Sequence, residues 1–292
     1  MSNIVVQTTA RVARPPEMVL GALKRRHDIR LFPKPGARST LGSFELWLFC
    51  PEIATSAQPG QFVMVACGTD TFLPRPFSIL SVSEFGEIGL LFNVWEDGKG
   101  TRWLSERHEN EIINLIGPLG NGFKFPERSS NLLLISGGIG IVPLRFAAEV
   151  GVRQESSVKL LMGASGEGRT PTERNPCQLY STKRLPQGIE VRPIECSLDG
   201  TKSLVTELLS EELVRWADQI FACGPVPMYR TLAKDPLLKD KPVQVSLETR
   251  MACGLGLCYG CSIKTKQGMK KVCRDGPVFE LADIIWEEMT EV

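Results

Sequence analysis

The sequence predicts three successive units: a small antiparallel β-barrel, an α/β domain on a parallel sheet, and a compact C-terminal cysteine module. Three observations carry this reading. Short β-like runs at even spacing fill residues 41–126, strands alternate with helical segments over 127–240, and four cysteines crowd into 241–292. A length of 292 residues gives each unit enough chain for its own core. With 42% hydrophobic and 23% charged residues, the composition excludes disordered and fibrous classes.

Residues 1–40 stand apart by charge. They carry eight basic side chains (Arg11, Arg14, Lys24, Arg25, Arg26, Arg30, Lys34 and Arg38) against Glu17 and Asp28, which places +6 there and −5 on the remainder of a chain whose total is +1. This stretch reads as a basic N-terminal extension outside the barrel and dispensable for chemistry: a poorly ordered arm, a targeting peptide, or a dock for an acidic partner. It has no apolar stretch of the secretory kind. No uninterrupted apolar run reaches the roughly eighteen residues of a membrane helix. The nearest, Leu132 to Leu144, is broken by Gly137, Gly138, Gly140 and Pro143. Cys50, Cys67, Cys177, Cys196 and Cys223 are scattered and read as free thiols, which suits a reducing, cytoplasmic setting.

In the first unit, Phe44–Phe49, Gln61–Ala66, Ser78–Val82 and Glu87–Trp95 are strand-like runs, punctuated by Pro59-Gly60, Gly86 and Asp97-Gly98. Short strands at such spacing predict a barrel. Between two of them, Arg75-Pro76-Phe77-Ser78 has the composition of a turn. A fixed arginine there suits a phosphate, and the serine hydroxyl suits the edge of a planar heterocycle. Gly98-Lys-Gly100-Thr101-Arg102 is a second glycine turn able to approach a phosphate. Gly117-Pro-Leu-Gly-Asn-Gly122 reads as a domain boundary.

The period changes after Phe125. Asn131–Ser136 is a continuous apolar run, followed by a glycine turn and a helix over Val142–Val150. Val158–Met162, Ile189–Ile194 and Gln219–Cys223 are further strands, with an amphipathic helix over Ser203–Ala217 and a linker from Pro236 to Pro242. Strands alternating with helices predict a parallel sheet. Ser136-Gly137-Gly138-Ile-Gly140-Ile-Val-Pro143 joins a strand to a helix, where free backbone N–H groups bind phosphate. After the second strand, Glu167 would bond a ribose 2′-hydroxyl and Arg169 a 2′-phosphate, so NAD and NADP both remain open. Cys223-Gly224-Pro225 ends the fourth strand, at the strand end where open α/β sheets bind ligands. Its cysteine either faces a nicotinamide ring or is a small buried residue.

Cys253, Cys258 and Cys261 form C-x4-C-x2-C, and Cys273 follows after eleven residues. This is the plant-type spacing of a [2Fe-2S] cluster. Glycines at 254, 256 and 260 let the backbone wrap closely around such a cluster. A structural zinc site is the rival, but zinc ribbons pair their cysteines two and two, and here the fourth stands alone. A disulfide framework does not suit a chain of this length without a secretory signal.

Taken in order, Arg75–Ser78, Gly100-Thr101, Gly117-Pro-Leu-Gly120, Gly137-Gly-Ile-Gly140 with Pro143, and Cys223-Gly-Pro225 resemble the motifs of the ferredoxin–NADP reductase superfamily. Met251–Cys261 together with Val272–Phe279 is similar, within it, to the electron-transfer subunits of NAD-dependent (class 1B) dihydroorotate dehydrogenases. The resemblance spans Leu41 to Glu288. It implies FAD held in the barrel by Arg75, Pro76, Phe77, Ser78, Asn93, Val94, Trp95, Gly100 and Thr101, with two residues near Glu96-Asp97 inserted relative to the family. It implies NAD at Gly137, Gly138, Gly140, Pro143, Cys223, Gly224 and Pro225, and a [2Fe-2S] cluster on Cys253, Cys258, Cys261 and Cys273.

These cofactors belong together by electron counting. Nicotinamide exchanges a hydride, a [2Fe-2S] cluster takes single electrons, and a flavin deals in either. No acid–base residue is required, and the two histidines, His27 and His108, sit in no motif. No site for an oxidisable organic substrate is evident, so a partner chain is expected at the cluster side. The resemblance implies an FMN-containing dihydroorotate dehydrogenase catalytic subunit in a heterotetramer. Flavin subunits of a hydrogenase, a sulfite reductase or a bifurcating transhydrogenase share similar loops, and dioxygenase reductases carry a longer gap before the last cysteine. A redox-sensing or zinc-stabilised binding module without turnover is the alternative of a different class; it would be colourless.

Overall fold

A computed structural model of the chain describes residues 5–21, 40–128, 130–163, 181–194 and 204–289. Six strands close into a barrel: β1 (Val6–Gly21), β2 (Thr40–Phe49), β3 (Phe62–Val65), β4 (Arg75–Val82), β5 (Glu87–Trp95) and β6 (Ile112–Leu119), in the order β1-β2-β5-β4-β3-β6. Two short helices, α1 (Pro51–Ala54) and α2 (Lys99–Ser105), lie in its connections. The antiparallel barrel stands as expected, but it begins well before residue 41. Residues 6–21 are not an arm: β1 pairs with β2 on one side and with β6 on the other, so it is the strand that closes the barrel. Its period-two pattern is short, with Ala10 and Val12 wholly buried between polar neighbours that face outward. The arginines that marked the stretch as basic lie on the outside, Arg11 over the Phe49 ring and Arg14 over Trp47. Arg14 also pairs with Glu87 at 2.8 Å. Half-exposed pairs of this kind contribute about 1 kcal/mol or less, so the backbone ladders and the buried face hold β1. The basic residues from Lys24 to Arg38 lie outside the described residues.

The second unit is a six-stranded sheet. β7 (Asn131–Gly137), β8 (Ser157–Gly163), β9 (Glu190–Pro193), β10 (Gln219–Cys223) and β11 (Val243–Ser246) run parallel, and β14 (Val278–Glu280) adds an antiparallel edge, in the order β14-β11-β10-β7-β8-β9. The expected boundary at residue 240 therefore does not divide the fold. β11 follows the supposed linker at once and completes the parallel sheet, and β14, beyond the cysteines, pairs with it. Two further strands, β12 (Ser262–Thr265) and β13 (Gly268–Lys271), form a hairpin in the cysteine module. Helix α3 (Ile141–Arg153) covers one face of the sheet and α5 (Val226–Lys234) follows β10. The helix expected over Ser203–Ala217 is broken into a 3-10 turn at Val205–Leu208 and α4 (Glu211–Trp216), because Ser210 caps α4 by accepting from the Leu213 N–H at 3.2 Å. The last helix, α6 (Val272–Asp275), carries the fourth cysteine of the motif. Glu167, Arg169, Cys177 and Cys196 lie outside the described residues.

The units share their cores. Phe62, Met64 and Leu119 of the barrel pack in one buried cluster with Ile135 and Val245 of the sheet and with Cys261, Val272 and Cys273. Leu80, Leu91 and Phe123 join a second cluster under α3. A polar seam runs beside it: Ser81 donates to Glu149 on α3, and Arg145 pairs with the same carboxylate at 2.8 Å. No helix among the described residues is long and apolar enough to cross a membrane. Deleting residues 1–21 is expected to abolish cooperative thermal unfolding, because β6 and β2 lose their shared neighbour. A truncated chain that melts like the full one by circular dichroism would show that the barrel closes without β1.

Candidate functional site

The cysteine loop begins directly after β11 and returns through the β12–β13 hairpin to α6. Its four thiols fall into two pairs. Cys261 and Cys273 approach to 3.2 Å between sulfurs. Cys253 is bonded by the side chain of Cys258 and by backbone groups of Cys258, Leu255 and Leu257. Backbone N–H groups point at the sulfurs: Leu255 donates to Cys253 at 3.4 Å, Gly256 to Cys273 at 3.1 Å, and Cys273 to Cys261 at 3.5 Å. Burial opposes ionisation of Cys253, yet these donors bring its thiol down to about 6. Burial and the neighbouring Cys261 push Cys273 the other way, to about 12. Among the described residues, no three His, Cys, Asp or Glu side chains converge on a single ion. Two thiol pairs with N–H donors on their sulfurs instead fit a binuclear iron–sulfur cluster, two thiolates to each iron.

The loop lies against the barrel. Gly254 has φ +69°, and a β-carbon there would collide with the Met64 side chain on β3. Met64 in turn pairs with Pro76, the second residue of the arginine–serine motif. That motif is the first half of β4 and not a turn; Arg75 to Ser78 zip against β3 from Val65 to Phe62. The compositional reading failed because Pro76 and Ser78 look like turn residues, whereas Phe77, Ile79 and Val82 carry the strand.

Arg75, Gly100 and Cys67 come together at one end of the barrel. A β-carbon on Gly100 would lie 3.2 Å from that of Cys67 and 3.5 Å from Arg75 Cγ. Arg75 donates to the Leu73 carbonyl at 2.7 Å, which leaves the rest of its guanidinium to an anion. Burial pushes the Cys67 thiol up to about 11, against the pull of Arg75, so it is neutral. Thr101 turns its hydroxyl to the Gly98 carbonyl at 3.5 Å. Of the other barrel residues singled out, Phe77 is buried and packs edge-on to Phe92, 5.5 Å between centroids. Asn93 accepts from Ser43 at 2.6 Å. Val94 buries its side chain in the barrel core and has only backbone to offer a ligand, while Trp95 is half-buried at the end of β5.

At the carboxyl end of the sheet, two motifs that are distant in sequence interlock. A β-carbon on Gly140 would collide with the Cys223 carbonyl, and one on Gly137 would lie 2.8 Å from Pro225 Cδ. Gly137, Gly138, Gly140, Cys223, Gly224 and Pro225 thus form one surface, and Pro143 is buried in the first turn of α3. Ser136, Cys223 and Ser246 stand abreast on neighbouring strands. Side chains abreast in a parallel ladder share a face, and Cys223 packs with the cluster that includes Leu80 of β4 and Phe123 beyond β6. Ser136 Oγ is buried there without a partner. Burial pushes the Cys223 thiol up to about 12, so it too is neutral. Sequence reasoning missed Tyr229, whose hydroxyl accepts from the Gly224 N–H at 2.9 Å and donates to the Ser246 carbonyl at 2.6 Å, tying the ends of β10 and β11 together. One turn into a helix, it carried no motif. His108 lies outside the site, paired with Glu111 on the exposed surface, and His27 is outside the described residues.

A barrel and a parallel sheet meeting at these strand ends, with a thiolate loop on the barrel wall, is the fold of ferredoxin–NADP reductases extended by an iron–sulfur module. A chain of the NADH-dependent reduced ferredoxin-NADP oxidoreductase superposes with a TM-score of 0.75 at 24% identity, covering 96% of this chain and 90% of that one. The model of the iron–sulfur cluster binding domain of dihydroorotate dehydrogenase B matches residues 248–285. The electron transfer subunit of dihydroorotate dehydrogenase B (NAD(+)) from Caldanaerobacter subterraneus subsp. tengcongensis is 35% identical over 232 residues, 78% of this chain and 87% of its own. That of Desulforamulus reducens is 35% identical over 245 residues, 81% and 90% of the two chains. The chain belongs to the family of dihydroorotate dehydrogenase B electron transfer subunits.

Tyr229→Phe is expected to destabilise the protein by about 1–3 kcal/mol, because a buried N–H and a buried carbonyl lose their partner. Urea unfolding midpoints of the two proteins measure it, and equal midpoints would show that water replaces the hydroxyl.

Proposed function

We propose that this chain relays electrons from an FMN-containing dihydroorotate dehydrogenase catalytic subunit to NAD+, through a [2Fe-2S] cluster on Cys253, Cys258, Cys261 and Cys273 and then FAD in the barrel. The observation that carries the reading is the seating of the cysteine loop on Met64, one strand from Arg75–Ser78. Cluster ligands and the flavin motif thereby share one wall of the barrel.

Arg75 supplies the fixed positive charge for the flavin's phosphates, beside the open backbone of Gly100 and Thr101. Pro76, Phe77 and Ser78 would hold the flavin along β4, with Ser78 as the hydrogen-bonding group, and Asn93, Val94 and Trp95 would border it from β5. The Gly137–Gly140 turn receives the nucleotide's phosphates, and Pro143 sets the helix behind it. Cys223, Gly224 and Pro225 would hold the nicotinamide end of the nucleotide, beside a neutral Cys223 thiol. When bound, the flavin exchanges electrons with nicotinamide in pairs and with the cluster singly. The chain's own part is placement and exclusion of water, and no side chain acts as acid or base.

The face around Cys258 supports a partner at the cluster. Leu257 is 74% exposed and Tyr259 66%, with Leu255 also exposed in the same loop. A catalytic subunit covering this apolar rim would shorten the electron path and shield the cluster. Two copies of each subunit, in the cytoplasm, complete the proposal.

Cys258→Ser is expected to abolish the cluster's absorbance and transfer to the partner while NADH still bleaches the flavin, which anaerobic spectrophotometry follows. Loss of both in a folded protein would count against this division of labour. Arg75→Ala removes a charged hydrogen bond, so flavin affinity is expected to fall by about 1.5–3 kcal/mol. Unchanged flavin content after gel filtration would contradict that role.

A further inference from the structure

Gly117–Gly122, expected to mark a domain boundary, ends β6 with Gly117 to Leu119 and turns beyond it. It then docks on the chain that follows Cys273. The Asn121 N–H donates to the Gly276 carbonyl at 2.6 Å. Its side-chain Nδ2 donates to the carbonyls of Arg274 and Asp275, both at 3.1 Å. These carbonyls belong to the last two residues of α6, the helix that carries Cys273, and to the Gly276 that follows, so one residue just past β6 holds the C-terminal end of that helix. The other end of α6 is held from within, the Lys271 N–H donating to Asp275 Oδ2 at 2.7 Å.

Asn121 is itself braced from the flavin side. Gln61 is fully buried, and both ends of its amide are used: Nε2 donates to the Gly120 carbonyl and Oε1 accepts from the Gln58 N–H, each at 2.8 Å. The Gln61 carbonyl accepts from the Ile79 N–H at 3.0 Å, one residue past Ser78, and the next residue, Phe62, pairs with Ser78. A continuous run of hydrogen bonds therefore leads from the strand carrying Arg75–Ser78, through Gln61 and Gly120, to Asn121 and the helix of the fourth cysteine.

We infer that Asn121, braced by Gln61, is a positioning residue that sets the spacing between the flavin-binding wall of the barrel and the cluster. The inference rests on the relay reading above and adds to it the group that fixes the distance on which single-electron transfer depends. Asn121 touches neither cofactor site; it acts through α6. Being exposed on its outer side, it is replaceable without opening a core.

The test uses the full chain, loaded with flavin and iron, under anaerobic mixing with NADH. NADH delivers two electrons to the flavin as a hydride, and the oxidised cluster takes one of them. Flavin bleaching is followed by stopped flow and cluster reduction by rapid-freeze electron paramagnetic resonance. In Asn121→Ala the flavin is expected to bleach at the native rate and iron content to stay unchanged, while cluster reduction slows severalfold, because single-electron transfer falls off steeply with distance. Backbone amides of 272–276 should exchange hydrogen faster in the same variant. Cluster reduction at the native rate would overturn the inference. If Asn121→Ala loses iron, Asn121→Ser, which keeps one donor, decides. Retained iron with slowed reduction supports positioning, whereas native-rate reduction or a second loss of iron overturns it, since the residue would then be retaining the cluster and not spacing it. Failure of the relay reading has its own signature, a native chain whose flavin NADH does not bleach, and it would take the inference down with it.

Discussion

Gly254 lays its backbone on the Met64 side chain, and no β-carbon fits between them. That contact joins the part of the chain that can hold iron to the part that can hold a flavin. Much else in the architecture serves it. β1 must close the barrel for β3 to present Met64 on a firm wall. Phe62 and Leu119 must fill the space beneath, and Val272 and Cys273 must pack into the same cluster for the loop to lie down at all. Interiors are close-packed and pass small displacements on, so a change in any of these layers is felt where the cysteine loop meets the barrel.

The second meeting place, at the end of the parallel sheet, is built by a different means. There the glycine turn after β7 and the cysteine turn after β10 fit into each other, with Tyr229 bonding across to β11. Backbone fitted to backbone leaves little freedom, which suits the nucleotide site proposed for this surface. Burial keeps the thiols of both Cys67 and Cys223 neutral, so neither motif adds a sulfur charge to its surroundings.

The sequence made the cysteine loop, the glycine turn and the barrel class legible because each depends on local spacing: four thiols at fixed intervals, a G-G-x-G between strand and helix, short strands between turns. What stayed hidden was set by distant pairing. β1 reads as a polar, basic arm because only Ala10 and Val12 face inward strongly, and their partners lie on β2 and β6. β11 escaped notice because four apolar-and-polar residues after a proline resemble the end of a linker; its burial comes from β10 on one side and β14 on the other. Arg75–Ser78 looked like a turn because proline is rare in strands. Tyr229 and Asn121 are ordinary residues until the fold brings carbonyls within their reach.

β11 and β14 are neighbours in the sheet, yet the whole cysteine loop lies between them in the chain. The loop is thus an excursion that leaves from one strand and comes home to the next. Its two ends are pinned about one strand spacing apart by a ladder that involves no metal. Assembly of the cluster then has only a tethered loop to organise, not a separate lobe, and the entropy of bringing the first and last sulfur ligands together has been met largely by the sheet. The return strand also covers β11 and, at three residues, leaves only a short edge for pairing with another chain. Cofactor insertion and protection of the sheet are, in this molecule, two services of one short strand.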